Sequence, residues 1–215
     1  MTTTDWYAVF VACGAALQDL GERLTSAQHC IAVPATPDWT VVDVYAHLAG
    51  VGTSLLTGSM HGAPGPAWTA QHVESRRGTP ISELVAEIRS CEPALAGMIQ
   101  GSARPAVVWD RAVHLADLGE TLGLPRMPAP LWEPILEPIA RQSLADLPIK
   151  VHAGSHAFGP GPTVVDLDPY ELFRVLFSRR SRAQVRAVFG QALNGQQCDG
   201  IQLFGQREDD PYKPA

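Results

Sequence analysis

Three features are absent from this sequence of 215 residues: a long apolar run, an extended basic stripe and a closely spaced pair of cysteines. No apolar run approaches the roughly 20 residues that span a bilayer. The first twelve residues contain Asp5 and no Lys or Arg, so they lack the positive start of a secretory signal. The formal charge of −6 includes no basic stripe that could neutralise phosphates. We therefore expect a cytoplasmic protein that binds neither membrane nor nucleic acid.

The four cysteines are far apart in the sequence and form no Cys-x-x-Cys pair: Cys13, Cys30, Cys91 and Cys198. In a reducing compartment this spacing predicts four free thiols rather than a disulfide framework. We expect each of them to be a small buried apolar side chain.

The N-terminal part has the apolar periodicity of helices, separated by Gly- and Pro-containing breaks. Helices are predicted at 6–24, 41–56, 80–101 and 107–118, with a further helical stretch at 68–77. Pro93 is expected to kink the third of the four long helices. These four amphipathic helices predict a four-helix bundle over residues 1–126.

A short Pro-rich linker, 127–130, precedes a region of different character. A helix is predicted near 131–147, strands at 149–153 and 163–167, and capped helices at 168–177 and 181–189. Residues 131–215 therefore form a small α/β unit. The predicted fold class is α+β.

Asp110 and His114 are four residues apart on the fourth predicted helix, so both side chains lie on one helix face. That spacing lets two ligands hold one cation, but it also occurs in exposed ion pairs. His47 interrupts the apolar face of the second long helix and could supply a third ligand. The alternative is that His47 is a hydrogen-bonded core residue.

Three parts of the sequence resemble the mycothiol-dependent maleylpyruvate isomerase family of the DinB-like metalloenzyme superfamily. The string WTVVDVYAHLAG at 39–50 is similar to the family's Trp-Thr-Val-x-Asp-Val-x-x-His-Leu segment. The string DRAVHLAD at 110–117, followed by LGLP at 122–125, resembles its acid-x-x-x-His-x-x-Asp and Leu-Gly-x-Pro motifs. A third similarity covers 171–174 and 178–181, where SRRS resembles the family's Gly-Arg-Arg-Ser.

The resemblance implies a DinB-like bundle in which His47, Asp110 and His114 hold a divalent metal with a coordination position left open. Zn²⁺ is the expected metal, and Fe²⁺, Ni²⁺ or Mn²⁺ would accept the same ligands. It also implies that mycothiol, a small thiol, is the cofactor or co-substrate for isomerisation or S-transfer on a small electrophile that bears a carboxylate. The ion would either lower the pKa of the bound thiol or polarise a substrate carbonyl.

The sequence departs from the family pattern at two positions. Asp110 stands where the family usually has Glu, and Ser178 replaces the Gly that precedes the double Arg. Asp117 is a candidate hydrogen-bond acceptor for a ligand imidazole, and its alternative is a solvated helix carboxylate.

A carboxylate-bearing substrate or thiol needs cationic anchors, and the dense Arg clusters lie at 76–77 and 179–182. The resemblance favours Arg179 and Arg180 as the catalytic residues, and together with Arg76 they are predicted to bind the thiol cofactor. The alternative for Arg179 and Arg180 is a solvated cluster at a helix start. Five other histidines fit no ligand pattern and are expected on the surface or in loops: His29, His61, His72, His152 and His156.

Two other functions remain open at this point. One is a DinB-like protein that binds a metal or small molecule without turnover. A metal site weakened by the side chain of Asp110, which is shorter than Glu, would favour this alternative. The other is an enzyme of the same fold that uses another thiol or none, such as a hydrolase.

Overall fold

The computed structural model describes residues 4–211 as two compact units, the first ending at Met127 and the second beginning at Pro128. The fold is α+β, as the sequence predicts, since the chain is mostly helical and has one small C-terminal sheet. No helix within residues 4–211 is long and apolar enough to cross a membrane.

The first unit consists of helices that surround an apolar core. They are α1 (Trp6–Gly21), α2 (Ser26–His29), α3 (Val41–Thr57), α4 (Pro66–Glu74), α5 (Ile81–Ser90), α6 (Glu92–Gln100) and α7 (Ala106–Thr121). Helices α1, α3 and α7 pack with the α5–α6 pair, which gives the bundle that the periodicity predicts. The one-turn α2 was not predicted.

The third predicted helix is divided in two at Cys91 rather than kinked. Pro93 lies in the first turn of α6, where its missing N–H cannot continue the hydrogen bonding of α5. The chain therefore starts a second helix at Glu92.

The ends of α3 are defined by local chemistry. The Asp43 carboxylate accepts hydrogen bonds from the Thr40 amide (2.8 Å) and hydroxyl (2.6 Å), which fixes the helix start. Gly58 ends the helix with a φ of 73°, a left-handed conformation that Gly adopts without a Cβ penalty.

A buried ion pair sets the rotation of α7. Arg111 donates to Glu92 of α6 (2.6 Å) and to the Phe10 carbonyl of α1 (3.0 Å), and both charged side chains are almost fully buried. The space is provided by Gly14, because a Cβ there would lie 2.0 Å from a Glu92 carboxylate oxygen. With Arg111 held against α1 and α6, the neighbouring Asp110 and His114 are presented to α3.

The second unit combines a small sheet with short helices. After a 3₁₀ turn (Ala129–Leu131) come α8 (Glu133–Ser143), β1 (Ile149–Ala153), β2 (His156–Phe158), β3 (Thr163–Asp166), α9 (Pro169–Leu176), α10 (Arg182–Phe189) and α11 (Gly195–Gly200). The strand order is β2-β1-β3, with β2 antiparallel and β3 parallel to β1. Buried and exposed residues alternate along β1, so one face of this strand packs on the core. Neither β2 nor α11 was predicted.

Candidate metal centre

The three predicted ligands lie on two packed helices, with His47 on α3 and Asp110 and His114 one turn apart on α7. Both histidines are buried, whereas the Asp110 side chain is 30% exposed. The burial of His114 excludes the exposed ion pair that the spacing alone also allowed. The cluster is therefore closed on the histidine side and opens to solvent at Asp110.

One donor atom from each residue lies within 4.8 Å of the other two. Asp110 Oδ1 is 3.5 Å from His47 Nε2 and 3.6 Å from His114 Nε2. Metal–ligand bonds of about 2.0–2.2 Å place tetrahedral ligands roughly 3.3–3.6 Å apart. The donor set and the two spacings from Asp110 to the histidines therefore fit a divalent cation bound through both Nε2 atoms and one carboxylate oxygen.

Asp117 lies behind His114, with Oδ2 at 3.1 Å from His114 Nδ1. It has no exposed surface, so the solvated-carboxylate alternative is wrong. A carboxylate at this position favours a hydrogen on Nδ1 of His114, which leaves Nε2 with its lone pair towards Asp110.

Two tryptophans border the cluster. The ring centroid of Trp39 is 4.8 Å from that of His47 and 5.8 Å from that of His114. Trp68 of α4 lies edge-on to His47 at 6.4 Å and contacts His72 at 4.1 Å. These apolar walls exclude water from the two imidazoles and strengthen electrostatic interactions between them and any bound cation.

His72 is not a surface or loop residue, and the prediction was wrong: it is buried on α4. Its Nδ1 lies 3.4 Å from Nδ1 of His47, and its Nε2 lies 3.0 Å from the Ser54 hydroxyl. Burial, followed by the charge of His47, lowers the pKa of His72 to about 4, so its imidazole is neutral at pH 7.

The sequence feature that accommodates the His72 ring lies on α3, not on α4. A Cβ at Gly50, one turn after His47 on α3, would lie 2.4 Å from Cγ of the His72 ring. The glycine therefore makes the notch that seats His72, and no pattern within 66–74 reveals it.

The three predicted Arg anchors are held by protein groups. Arg76 donates to both carboxylate oxygens of Glu87, at 2.9 and 2.5 Å. In the second unit, Arg180 donates to both carboxylate oxygens of Glu171, at 2.8 and 2.9 Å. Arg179 donates to the Phe177 carbonyl at 2.8 Å. Arg179 and Arg180 are buried, so the solvated-cluster alternative is wrong.

All four cysteines are free thiols, as predicted. Cys13, Cys91 and Cys198 are buried, and burial raises the pKa of Cys13 to about 12. Cys30 is exposed, which corrects the expectation that every cysteine is buried, because it follows the short surface helix α2. In the part of the chain that the structure describes, no cysteine belongs to the His47–Asp110–His114 cluster.

Comparison with known proteins places these features in a family. Two solved structures resemble the fold: the mycothiol-dependent maleylpyruvate isomerase and a point mutant of it. They cover 81% and 80% of this chain, respectively, and 88% of their own; each has a TM-score of 0.52 and 10% identity. A search of curated proteins finds no significant match. The family model described as the mycothiol maleylpyruvate isomerase N-terminal domain matches residues 10–128, which is more than half of the chain. This chain therefore belongs to the mycothiol maleylpyruvate isomerase family.

Proposed function

We propose that this protein is a metal-dependent enzyme that uses mycothiol for isomerisation or S-transfer on a small electrophile bearing a carboxylate. The observation that carries the proposal is that donor atoms of His47, Asp110 and His114 lie within 4.8 Å of one another, with the Asp110 side chain partly exposed and both histidines buried. Three protein ligands and an accessible fourth position are typical of catalytic rather than structural zinc sites. The names of the family and of the two solved relatives support the same chemistry.

Zn²⁺ is the proposed metal, because two imidazoles and one carboxylate suit it. When bound, the cation would lower the pKa of a coordinating thiol or polarise a carbonyl. Asp117 lies 3.1 Å from Nδ1 of His114, where it favours a hydrogen on that nitrogen, and the Trp39 ring packs near both imidazoles.

The nucleophilic sulfur is proposed to come from mycothiol rather than from the protein. Burial keeps Cys13 protonated at neutral pH, and Cys91 and Cys198 are also buried. A small thiol could reach the cluster from the exposed side of Asp110.

We propose Arg179 and Arg180 as the catalytic residues that orient the carboxylate of the substrate, and both together with Arg76 as anchors for the thiol cofactor. The burial of Arg179 and Arg180 supports this role, because an anchor held by protein contacts loses little entropy when it binds a carboxylate. Arg76 and Arg180 are proposed to contribute less to binding than Arg179, since Glu87 and Glu171 already neutralise their charges.

The test is a pair of substitutions at Asp110. Asp110→Asn removes the negative charge that complements the cation and should weaken metal binding by at least tenfold. Asp110→Glu restores the residue usual in the family and should keep the metal while shifting it relative to the thiol. Metal titration beside the rate of mycothiol consumption with an electrophile measures both effects.

Asp19→Asn is the matched control, because Asp19 is an exposed carboxylate on α1 and should leave both readouts unchanged. An Asp110→Asn protein that binds metal and reacts like wild type would exclude Asp110 as a ligand. A wild-type protein that binds metal but consumes no thiol would instead establish the binding-protein alternative, which the family evidence does not favour.

A further inference from the structure

His72 is a buried residue that contacts the candidate ligand His47, and the proposed function gives it no role. Its ring lies between His47 and Ser54, and each of its nitrogens has one partner. The Nδ1 atoms of His47 and His72 are 3.4 Å apart, and a hydrogen bond between two ring nitrogens uses a single hydrogen. In such a bond one ring donates, and the other accepts.

Metal binding would determine which of the two rings donates. An imidazole that binds a cation through Nε2 has its hydrogen on Nδ1, and a partner for that hydrogen fixes the tautomer and the ring orientation. If His47 donates, the hydrogen of His72 lies on Nε2, 3.0 Å from the Ser54 hydroxyl oxygen, which accepts it. Both ring nitrogens of His72 then have a partner of the correct kind.

We propose that His72 is a positioning residue that accepts the Nδ1 hydrogen of His47 and thereby keeps Nε2 of His47 available to the metal. This inference rests on the proposed metal site. The two imidazole ligands would then be oriented by different groups, His114 by the Asp117 carboxylate and His47 by a neutral imidazole.

The seat of His72 is built by neighbouring residues. The notch at Gly50 admits the ring against the α3 backbone, and Trp68 packs on its other side. The indole of Trp68 is itself held by a hydrogen bond to the Ser59 carbonyl (2.9 Å). Arg76 donates to the backbone carbonyl of His72 at 3.3 Å. These contacts restrict the position of the His72 ring.

Charge balance explains why an imidazole suits this position. Asp110 and Asp117 already bring two negative charges to the cluster, which match a divalent cation. A carboxylate at position 72 would add an uncompensated charge in a buried place, at a desolvation cost that a neutral acceptor avoids.

The first experiment reads the tautomers directly in the Zn²⁺-saturated protein. In the metal-free protein the Asp110 carboxylate, 3.5 Å from Nε2 of His47, would compete for the hydrogen of that ring. Two-bond ¹⁵N–¹H couplings in ¹⁵N-histidine-labelled, Zn²⁺-saturated protein at pH 7 should assign the hydrogen of His47 to Nδ1 and that of His72 to Nε2. A hydrogen on Nδ1 of His72 would overturn the proposal, because that atom could not then accept the hydrogen of His47.

The second experiment measures Zn²⁺ affinity by competition with a chelator. His72→Phe keeps a ring in the notch but removes the acceptor, so the affinity should fall roughly 10–100-fold, the usual loss when such a partner is removed. His72→Asn, which can place an amide oxygen near the position of Nδ1, should recover part of that loss. His61→Phe is the control, because His61 is an exposed loop residue.

Wild-type affinity in His72→Phe, or equal losses in the Phe and Asn variants, would contradict the positioning role. A wild-type protein that binds no metal would refute the proposed function and the inference with it, whereas a protein that binds metal with the hydrogen of His72 on Nδ1 would overturn the inference alone.

Discussion

Ser178 has a backbone φ of 60°, in the left-handed region that non-Gly residues adopt at a cost of about 1–2 kcal/mol. The resembled family has Gly at this position, and the conformation explains why. Here the side chain partly offsets the cost, because its hydroxyl accepts a hydrogen bond from the Phe204 amide at 3.0 Å. The turn before Arg179 and Arg180 is thus preserved without a glycine.

Two substitutions separate these effects at Ser178. Both Ser178→Ala and Ser178→Gly lose the hydroxyl, but only Gly removes the conformational cost. The greater chain entropy of unfolded Gly reduces its advantage by roughly 0.5–1 kcal/mol. We expect Ser178→Gly to be more stable than Ser178→Ala by roughly 0.5–1 kcal/mol in urea unfolding. An Ala variant at least as stable as the Gly variant would contradict this account.

The residues of the candidate metal site differ in how well the sequence predicts them. The Asp110–His114 spacing and the placement of His47 amid apolar residues are local signals, and the structure brings these three residues together. His72 has no local signal, because its role depends on a glycine in a different helix. Periodicity within one segment carries no information about a notch in a neighbouring segment.

At the scale of elements, α4 is a short helix in which only Trp68 and His72 are buried. A clamp formed by Arg76 and Glu87 attaches its C-terminal end to α5, and the Thr53 hydroxyl of α3 donates to the same carboxylate. The clamp therefore joins three helices around the seat of His72.

The clamp predicts a dependence of stability on pH. The hydrogen bonds from Arg76 hold the pKa of Glu87 below its usual value of 4.5. The stabilisation is therefore fully present above pH 4.5 and is lost as the pH falls through the lowered folded-state pKa. We expect Glu87→Gln to lower the free energy of unfolding by roughly 1 kcal/mol at pH 7, since the carboxylate is partly exposed to solvent.

Urea unfolding of the wild type and Glu87→Gln at pH 7, 5 and 3.5 measures this difference. The gap between the two proteins should stay constant from pH 7 to 5 and narrow at 3.5. Glu83→Gln is the control, because Glu83 is an exposed residue on the same helix. A gap that does not change with pH would mean that the charge of Glu87 is irrelevant to the clamp.

Element boundaries show which structural features the sequence patterns predict and which they do not. The period of apolar residues predicts α3 and α7 closely, because each has one continuous buried face. Periodicity does not predict the break at Cys91 or the three-residue strand β2. At Cys91, the proline at position 93 starts a new helix instead of kinking the old one. Strand β2 is defined by its pairing with β1 rather than by its own sequence.

At the scale of the molecule, the candidate functions are divided between the two units. Every candidate metal ligand, together with Asp117 and His72, belongs to the first unit, which the family model matches almost completely. Arg179 and Arg180 belong to the second unit. Sequence motifs reveal this division of residues, but they do not show that Glu171 pairs with Arg180, because that contact depends on how α9 meets the following turn.

This division leads to a prediction for the fragment that contains residues 1–127. Its bundle packs around its own apolar core, and it carries the whole donor set, so we expect it to fold and to bind Zn²⁺ with an affinity comparable to that of the full chain. Thiol transfer should fall by roughly 10–100-fold or more, because a lost charge-assisted hydrogen bond to a carboxylate costs about 1.5–3 kcal/mol. Circular dichroism, zinc titration and mycothiol consumption measure the three properties.

In the full chain, Arg179→Gln should reproduce the loss of turnover while zinc affinity stays at the wild-type value. A folded fragment that binds no zinc would mean that a ligand comes from beyond residue 127, and a fragment with full turnover would remove both arginines from the mechanism.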